Sequence, residues 1–393
     1  MIDSRSVNKV KKENCCGCHA CYNVCPKFAI NMVADKEGFL YPNVSVEKCV
    51  NCGMCLNICP SVTKLPLNSG DKAYACYARN CEERLSSSSG GFFSVLARKF
   101  LNEEGIIFGA SFNEKMEVEH LGISKTEELH KLKGTKYVQS KIGTNYKDVK
   151  RELLKGKKVL FSGTPCQVAG LEAFLGEKYD NLLSIDLICH GVPSPSVWKR
   201  YLNERFGEDN VNAMQFRNKR EGISNVKLDY MLKSGEIVQE SYNESPYIKG
   251  FIENFYTRPS CFRCNFKGIK RYSDITIGDF WSAKEFHPEI DDSYGVSGII
   301  VHTALGERWL ETVKDQLILY DAQASEIAVW NECLLESVKE NPYRQLFFEK
   351  WTQFTIEDMI SELARKKTKV KDGNDKKKKF QDWFTERIQR WLA

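Results

Sequence analysis

No stretch of the 393-residue sequence approaches the roughly 20 consecutive apolar residues that a membrane-crossing helix needs. The opening residues, Met1-Ile2-Asp3-Ser4-Arg5, lead straight into polar sequence without an apolar signal region, so a cytoplasmic protein is the expectation. No Gly-x-Gly-x-x-Gly occurs, which leaves a Rossmann nucleotide site unsupported. No Ser/His/Asp hydrolase pattern or phosphate-transfer loop competes for the assignment. Charge of one sign is scarce as well. The net charge is +5, and nine Lys or Arg against two Asp between Arg365 and Lys379 supply +7 of it, leaving −2 for everything else. A general nucleic-acid surface is therefore not expected.

What the chain has in quantity is cysteine, 16 residues of it. With 42% hydrophobic and 28% charged residues, a globular chain of this length can bury a core without disulfide staples. In a reducing compartment clustered thiols more often hold metal. Twelve of the cysteines fall into groups; Cys16, Cys76, Cys81 and Cys333 are left over and are expected to pack as small apolar side chains.

Four stretches separate along the chain. Residues 1–62 hold an internal repeat offset by 34 residues, from Cys15 to Cys49. Residues 63–71 read as a linker punctuated by Pro66 and Gly70. Residues 72–345 alternate strand-like and helix-like patterns, and residues 346–393 read as a helical tail interrupted by the basic run. In the third stretch, strands are expected at 158–161, 182–188, 275–278 and 298–301, with helices starting near Gln167 and Ser194. The alternation predicts an α/β (α+β) domain built on a mixed sheet. Cys166 and Cys189 fall at the C-terminal ends of their strands, where ligands bind in open α/β sheets.

The repeat carries the first chemistry. Cys15-x2-Cys18-x2-Cys21-x3-Cys25-Pro26 is followed by Cys49-x2-Cys52-x2-Cys55-x3-Cys59-Pro60. Each run matches the bacterial ferredoxin pattern, in which three thiolates hold one 4Fe–4S cube and the fourth reaches to the other. Cys15, Cys18, Cys21 and Cys59 are thus expected on one cluster, and Cys49, Cys52, Cys55 and Cys25 on the second. Zinc also binds Cys-x2-Cys pairs, but the complete duplicated run with both prolines favours iron. The segment resembles a two-cluster ferredoxin domain. A second, dispersed set comprises Cys166, Cys189, Cys261 and Cys264. Spacing alone leaves it open between a third cube and a handful of core thiols.

Three motifs resemble the coenzyme F420 hydrogenase/dehydrogenase beta-subunit family: Ser162-Gly163-Thr164-Pro165-Cys166-Gln167-Val168-Ala169-Gly170-Leu171, Cys189-His190-Gly191-Val192-Pro193-Ser194-Pro195 and Ser273-Asp274-Ile275-Thr276-Ile277-Gly278-Asp279-Phe280-Trp281. The resemblance implies FAD and iron–sulfur clusters joining one-electron carriers to a two-electron acceptor, and it favours the third cluster. It also implies flavin contacts in two segments. One is the Ser/Gly loop containing Ser88, Ser89, Gly90 and Gly91, which enters a helix N-terminus suited to a pyrophosphate. The other holds Lys133, Gly134, Thr135, Tyr137, Gln139 and Ser140, with Lys133 and Lys136 as candidate phosphate partners. His190 and Asp279 lie in the motifs as candidate proton donors or flavin-tuning groups, against a structural His and a capping Asp.

The function expected from these elements is an FAD- and 4Fe–4S-dependent oxidoreductase. It would pass electrons between a ferredoxin-type carrier and a two-electron acceptor, coenzyme F420 or another organic substrate. The competing reading is a non-catalytic subunit that wires electrons to a partner oxidoreductase. In the tail, Phe380, Phe384, Ile388 and Trp391 form an amphipathic stripe beside the basic run. Docking of that stripe on the body is expected over contact with an anionic membrane surface.

Overall fold

The computed structural model describes residues 5–70, 72–290 and 292–368. The Phe380/Phe384/Ile388/Trp391 stripe and most of the basic run lie outside the described residues. The strands in chain order are β1 (Ile30–Ala34), β2 (Leu40–Val44), β3 (Lys72–Ala78), β4 (Ile106–Phe112), β5 (Val118–Ile123), β6 (Val159–Gly163), β7 (Leu182–Leu187), β8 (Val211–Asn218), β9 (Lys227–Leu232), β10 (Ile237–Ser241), β11 (Ile275–Asp279), β12 (Ser297–Val301) and β13 (Leu317–Ala322). Eight of them form one sheet in the order β13-β3-β12-β11-β7-β6-β4-β5. Its centre, β11, β7, β6 and β4, is parallel, and antiparallel strands flank it on both sides. The sheet is mixed, as expected.

The parallel centre follows from composition. Val159-Leu160-Phe161 and Leu182-Leu183 are apolar at consecutive positions and buried on both faces, which a strand covered by helices on either side requires. The helix Pro165–Leu175 opens on a capping box, Thr164 with Gln167, and stops at Gly176 in the left-handed conformation. It starts two residues earlier than expected because Pro165 fits the first turn. Ser194 caps the helix Pro195–Phe206, its hydroxyl accepting from the Val197 N–H. A second, antiparallel sheet, β10-β9-β8, encloses an aromatic cluster with Trp198, Phe216, Tyr230, Tyr247 and Tyr256 at its heart. The helices Arg344–Lys350 and Ile356–Thr368 close over it. Among the described residues no helix is long and apolar enough to cross a membrane.

The N-terminal repeat is visible in the backbone. Gly17 and Asn51, 34 residues apart, both take positive φ (69° and 54°), as do His19 and Gly53 (62° and 78°). Each half thus winds its chain between the cysteines with the same pair of left-handed residues. Only one of each pair is glycine, so the demand comes from the loop path.

This unit is packed into the body. Phe39 is fully buried in the aromatic cluster, and Cys16, Cys18 and Ala20 pack with Phe161, Val168 and Ala169. Glu37 pairs with the buried Arg344, whose Nε also donates to the Thr257 carbonyl at 2.9 Å. Asn23 donates to the Gly143 carbonyl at 2.9 Å. In the stretch expected as a linker, Asn68 donates to the carbonyls of Arg271, Tyr272 and Ser273 at 2.7–3.0 Å.

Candidate metal centres and cofactor site

The cysteines of the second ferredoxin set come together as their spacing implies. Cys25, Cys49, Cys52 and Cys55 line one cavity, and Cys52 is exposed at its rim. The Cys25 sulfur also accepts the Ala29 N–H at 3.4 Å. The first set lies deeper. Cys18, Cys21 and Cys59 are buried, and Cys15 is half-buried. Burial pushes the Cys21 thiol well up, with Cys15 and Cys59 adding to the rise, and burial brings Cys59 to about 11. Thiols ligate iron as thiolates, so loading these sites must displace protons. Gly170 explains why the first set tolerates the neighbouring helix: a Cβ there would stand 2.9 Å from the Cys18 Cβ and 3.0 Å from its sulfur.

The dispersed set is united by topology. β6 and β7 are adjacent and parallel, so the loops after Gly163 and Leu187 leave the same end of the sheet and bring Cys166 and Cys189 to one cavity. The 3-10 turn Pro259–Arg263 brings Cys261 and Cys264 against them, and all four line one cavity. Burial raises the Cys261 thiol to about 12 and Cys189 to about 11, with Lys267 opposing the latter. The Lys267 ammonium donates to the carbonyls of Cys189 and, at 2.7 Å, Cys333. Among the described residues no three such donors meet tightly enough for a single metal ion. The second ferredoxin set and the dispersed set each put four thiols on one cavity, and four thiolates are the donor set of a 4Fe–4S cube.

Of the four left-over cysteines Cys76, fully buried in β3, and Cys16, buried in the core beside Phe161, pack as expected. Cys81 is exposed. Cys333 is half-buried beside Lys267. Cys16 lines the cavity of the dispersed set, where hydrogen bonds from Cys166 and Cys18 hold its thiol well below the ordinary range. Cys15 and Cys16 both pack on the body, Cys15 against the aromatic cluster and Cys16 against the core around Phe161 and Val168.

The two segments expected to hold a flavin also meet. The Ser88 hydroxyl accepts from the Thr135 N–H at 2.6 Å and from its hydroxyl at 2.8 Å. Gly90 is pinned, its N–H on the Ser297 hydroxyl at 2.9 Å and its Cα so near β3 that a Cβ would stand 2.2 Å from the Cys76 carbonyl. Gly91 is the N-cap of the helix Phe92–Asn102 and offers no side-chain cap. Lys133 is held by Glu83 and Ser86 at 2.9 and 2.7 Å, and Lys136 by three backbone carbonyls. Gly134 has open space around it. Tyr137 packs at 5.0 Å from Phe251 and 5.3 Å from Phe216. Gln139 reaches the iron–sulfur side, donating to the Cys16 carbonyl at 3.0 Å and accepting from Arg258 at 2.9 Å. Ser140 accepts from Gln167 at 2.9 Å.

His190 and Asp279 stand at different places. His190 lines the dispersed-cysteine cavity, bonded through Nε2 to Asn254 at 3.0 Å, and burial lowers its pKa. Asp279 ends β11 opposite Ser297 and accepts from the buried Arg217 at 2.6 Å. Arg217 and its neighbour Lys219 belong to no motif, although Arg217-Asn218-Lys219-Arg220 concentrates charge at the end of β8. Lys219 is fully buried and donates to the carbonyls of Ser89 and, at 2.8 Å, Tyr294. Burial, reinforced by Arg217 and Arg84, lowers its pKa to about 7. The Arg217 Nη2 is buried without a hydrogen-bond acceptor. A buried cation with a spare donor, two residues from the lysine that touches the Ser89 carbonyl, has the chemistry to take an anionic group.

Fold and thiol geometry together define an iron–sulfur protein built for electron transfer. Residues 14–62 match the 4Fe-4S dicluster domain, and residues 156–326 match the family described as the C terminus of the coenzyme F420 hydrogenase/dehydrogenase beta subunit. The second match spans less than half of the chain and follows the dicluster match in sequence, in the order that the sequence resemblance implies. Among solved structures, a chain of the F420-reducing NiFe hydrogenase complex from Methanosarcina barkeri is similar at 16% identity and a TM-score of 0.45, over 76% of this chain and 93% of that one. A likeness at that level carries no functional argument. Among curated proteins none matches.

Proposed function

We propose that the chain is an iron–sulfur flavoprotein that passes electrons between a one-electron carrier of ferredoxin type and a two-electron acceptor, coenzyme F420 or another organic substrate. When bound, 4Fe–4S clusters supply one-electron storage, and FAD joins that regime to two-electron chemistry. Cys15, Cys18, Cys21 and Cys59 would hold one cluster, Cys25, Cys49, Cys52 and Cys55 the second, and Cys166, Cys189, Cys261 and Cys264 the third. Ser88, Ser89, Thr135, Arg217 and Lys219 would receive the anionic part of FAD.

One observation carries the reading. Eight residues, Lys133–Ser140, run from the Ser88 loop at one end to the Cys16 carbonyl at the other. The candidate flavin loop and the cysteine loops are therefore joined by one short, hydrogen-bonded segment, which suits electron exchange between their cofactors. The test is anaerobic reconstitution with iron, sulfide and FAD, then flavin release and an acceptor screen. Retained FAD and reduction of a soluble acceptor support the proposal. FAD retention lost in Arg217→Ala with iron content unchanged supports the anionic site. A chain that holds iron but no flavin refutes the flavoprotein reading. Retained FAD without turnover of any soluble acceptor favours the wiring role.

A further inference from the structure

Arg258 is a fully buried charge, at 0% exposure. Its Nε donates to the Cys15 carbonyl at 2.8 Å, Nη1 to the Gln139 amide oxygen at 2.9 Å, and Nη2 to the Leu40 carbonyl at 2.9 Å. Nη2 also lies 3.8 Å from the Cys15 sulfur, within hydrogen-bonding range for sulfur. The Tyr41 ring covers the guanidinium at 4.3 Å. Among the described residues no carboxylate pairs with it; the acidic groups in its field include thiols, first Cys15, with Cys16 and Cys261 beside it. A buried cation without a carboxylate partner needs another anionic group to offset its desolvation. Arg217, by contrast, has Asp279, and Arg344 has Glu37.

The repeat supplies an internal control. Cys49 stands where Cys15 does in the other half, and its sulfur meets the Asn51 amide oxygen at 3.7 Å with no cation in hydrogen-bonding contact among the described residues. The Cys49 half also opens to solvent at Cys52, whereas Cys18, Cys21 and Cys59 are buried. Burial alone makes added negative charge harder to accept, so the inner thiolate set would hold the less reducible cluster. A fixed positive charge and an N–H···S contact act in the opposite sense.

Resting on the proposed cluster assignment, we infer that Arg258 is a redox-positioning residue: it is the counter-charge for the cluster held by Cys15, Cys18, Cys21 and Cys59 and raises that cluster's reduction potential. One-electron reduction by an external carrier adds one negative charge to the set, and the guanidinium stabilises it. Arg258 lies three residues before Cys261 and bonds Gln139, so the same side chain ties the inner ferredoxin set to the dispersed cysteine loop and to the candidate flavin segment.

The test is an EPR-monitored redox titration of reconstituted full-length protein carrying Arg258→Lys, Arg258→Gln or Arg258→Met, with iron counted in each. In the Met variant one of the two ferredoxin-type signals should move to lower potential. At the midpoint of the unsubstituted protein, its reduced-to-oxidised ratio should fall at least tenfold, which is 59 mV for a one-electron couple. The Gln variant should shift likewise and the Lys variant less, while the other signal stays put. Retention of the cluster in the Lys variant but not in either neutral variant also supports the counter-charge role. Unmoved midpoints at unchanged iron content overturn the assignment of Arg258 alone. Loss of the cluster in all three variants overturns it too, since the site then requires arginine's shape and not its charge. Unsubstituted protein without ferredoxin-type signals overturns both this inference and the cluster reading beneath it.

Discussion

Removing one thiol from the dispersed set provides the sharpest account of how many clusters the chain carries. Cys261 sits on a 3-10 turn that Cys264 caps, and with Cys166 and Cys189 they line a single cavity. Three cubes mean about twelve irons per chain, and two mean about eight. Cys261→Ala or Cys264→Ala should therefore release about four irons and leave the ferredoxin-type signals intact. A general loss of stability has to be separated from loss of a ligand, and Cys76 allows it. Cys76 is as buried as any residue in β3 but belongs to no cysteine group. Cys76→Ala should cost about 1 kcal/mol through lost packing while iron content stays the same. Cys16→Ala is the second control: Cys16 borders the cavity without belonging to the four assigned ligands, so its iron count should stay near twelve. Iron is counted by colorimetric assay on anaerobically reconstituted protein, alongside a denaturant titration. Unchanged iron in both the Cys261 and Cys264 variants would refute the third cluster. A four-iron loss in Cys16→Ala would move it onto a different ligand set.

Gly170→Ala should disturb the inner ferredoxin set from outside, because its Cβ would lie 2.9 Å from both the Cys18 Cβ and the Tyr146 hydroxyl. Overpacking of this kind costs about 1–3 kcal/mol, read as a lower denaturant midpoint together with partial iron loss; neither change would contradict the packing account. Lys219 predicts a proton signature for flavin binding. Its folded pKa of about 7 lies below the unfolded value, so the unfolded chain binds more protons between pH 7 and about 10.5 and this group favours folding more as pH rises through that window. An anion beside it restores the charge. Binding of FAD at pH 8 should therefore take up a fraction of a proton, seen as a buffer-dependent calorimetric enthalpy that disappears at pH 6 and in Lys219→Ala; equal enthalpies in all buffers at pH 8 would count against an anionic group there.

The N-terminal ligand sets were legible in the linear sequence because a cube's first three ligands lie within seven residues, so local spacing alone carries the chemistry. The parallel strands β6 and β7 were legible too, as short apolar runs ended by turn residues. Other features belong to tertiary structure. Spacing left Cys166, Cys189, Cys261 and Cys264 ambiguous, and only the adjacency of β6 and β7, whose following loops leave one end of the sheet, brings them around a single cavity. Cys16 packs in the core as its sequence suggests, but only the fold shows that it also lines the cavity of the dispersed set. Arg217, Lys219 and Arg258 carry no motif of their own. Their significance lies in being buried cations, and burial is set by which distant segments close over them: Leu40 and Gln139 over Arg258, Ser89 and Tyr294 over Lys219. Spacing within a loop is a property of the covalent chain, so sequence alone determined which three thiols of each N-terminal run can serve one cube. Solvent exclusion around a charge depends on residues far apart in that chain, and only the folded protein decided it.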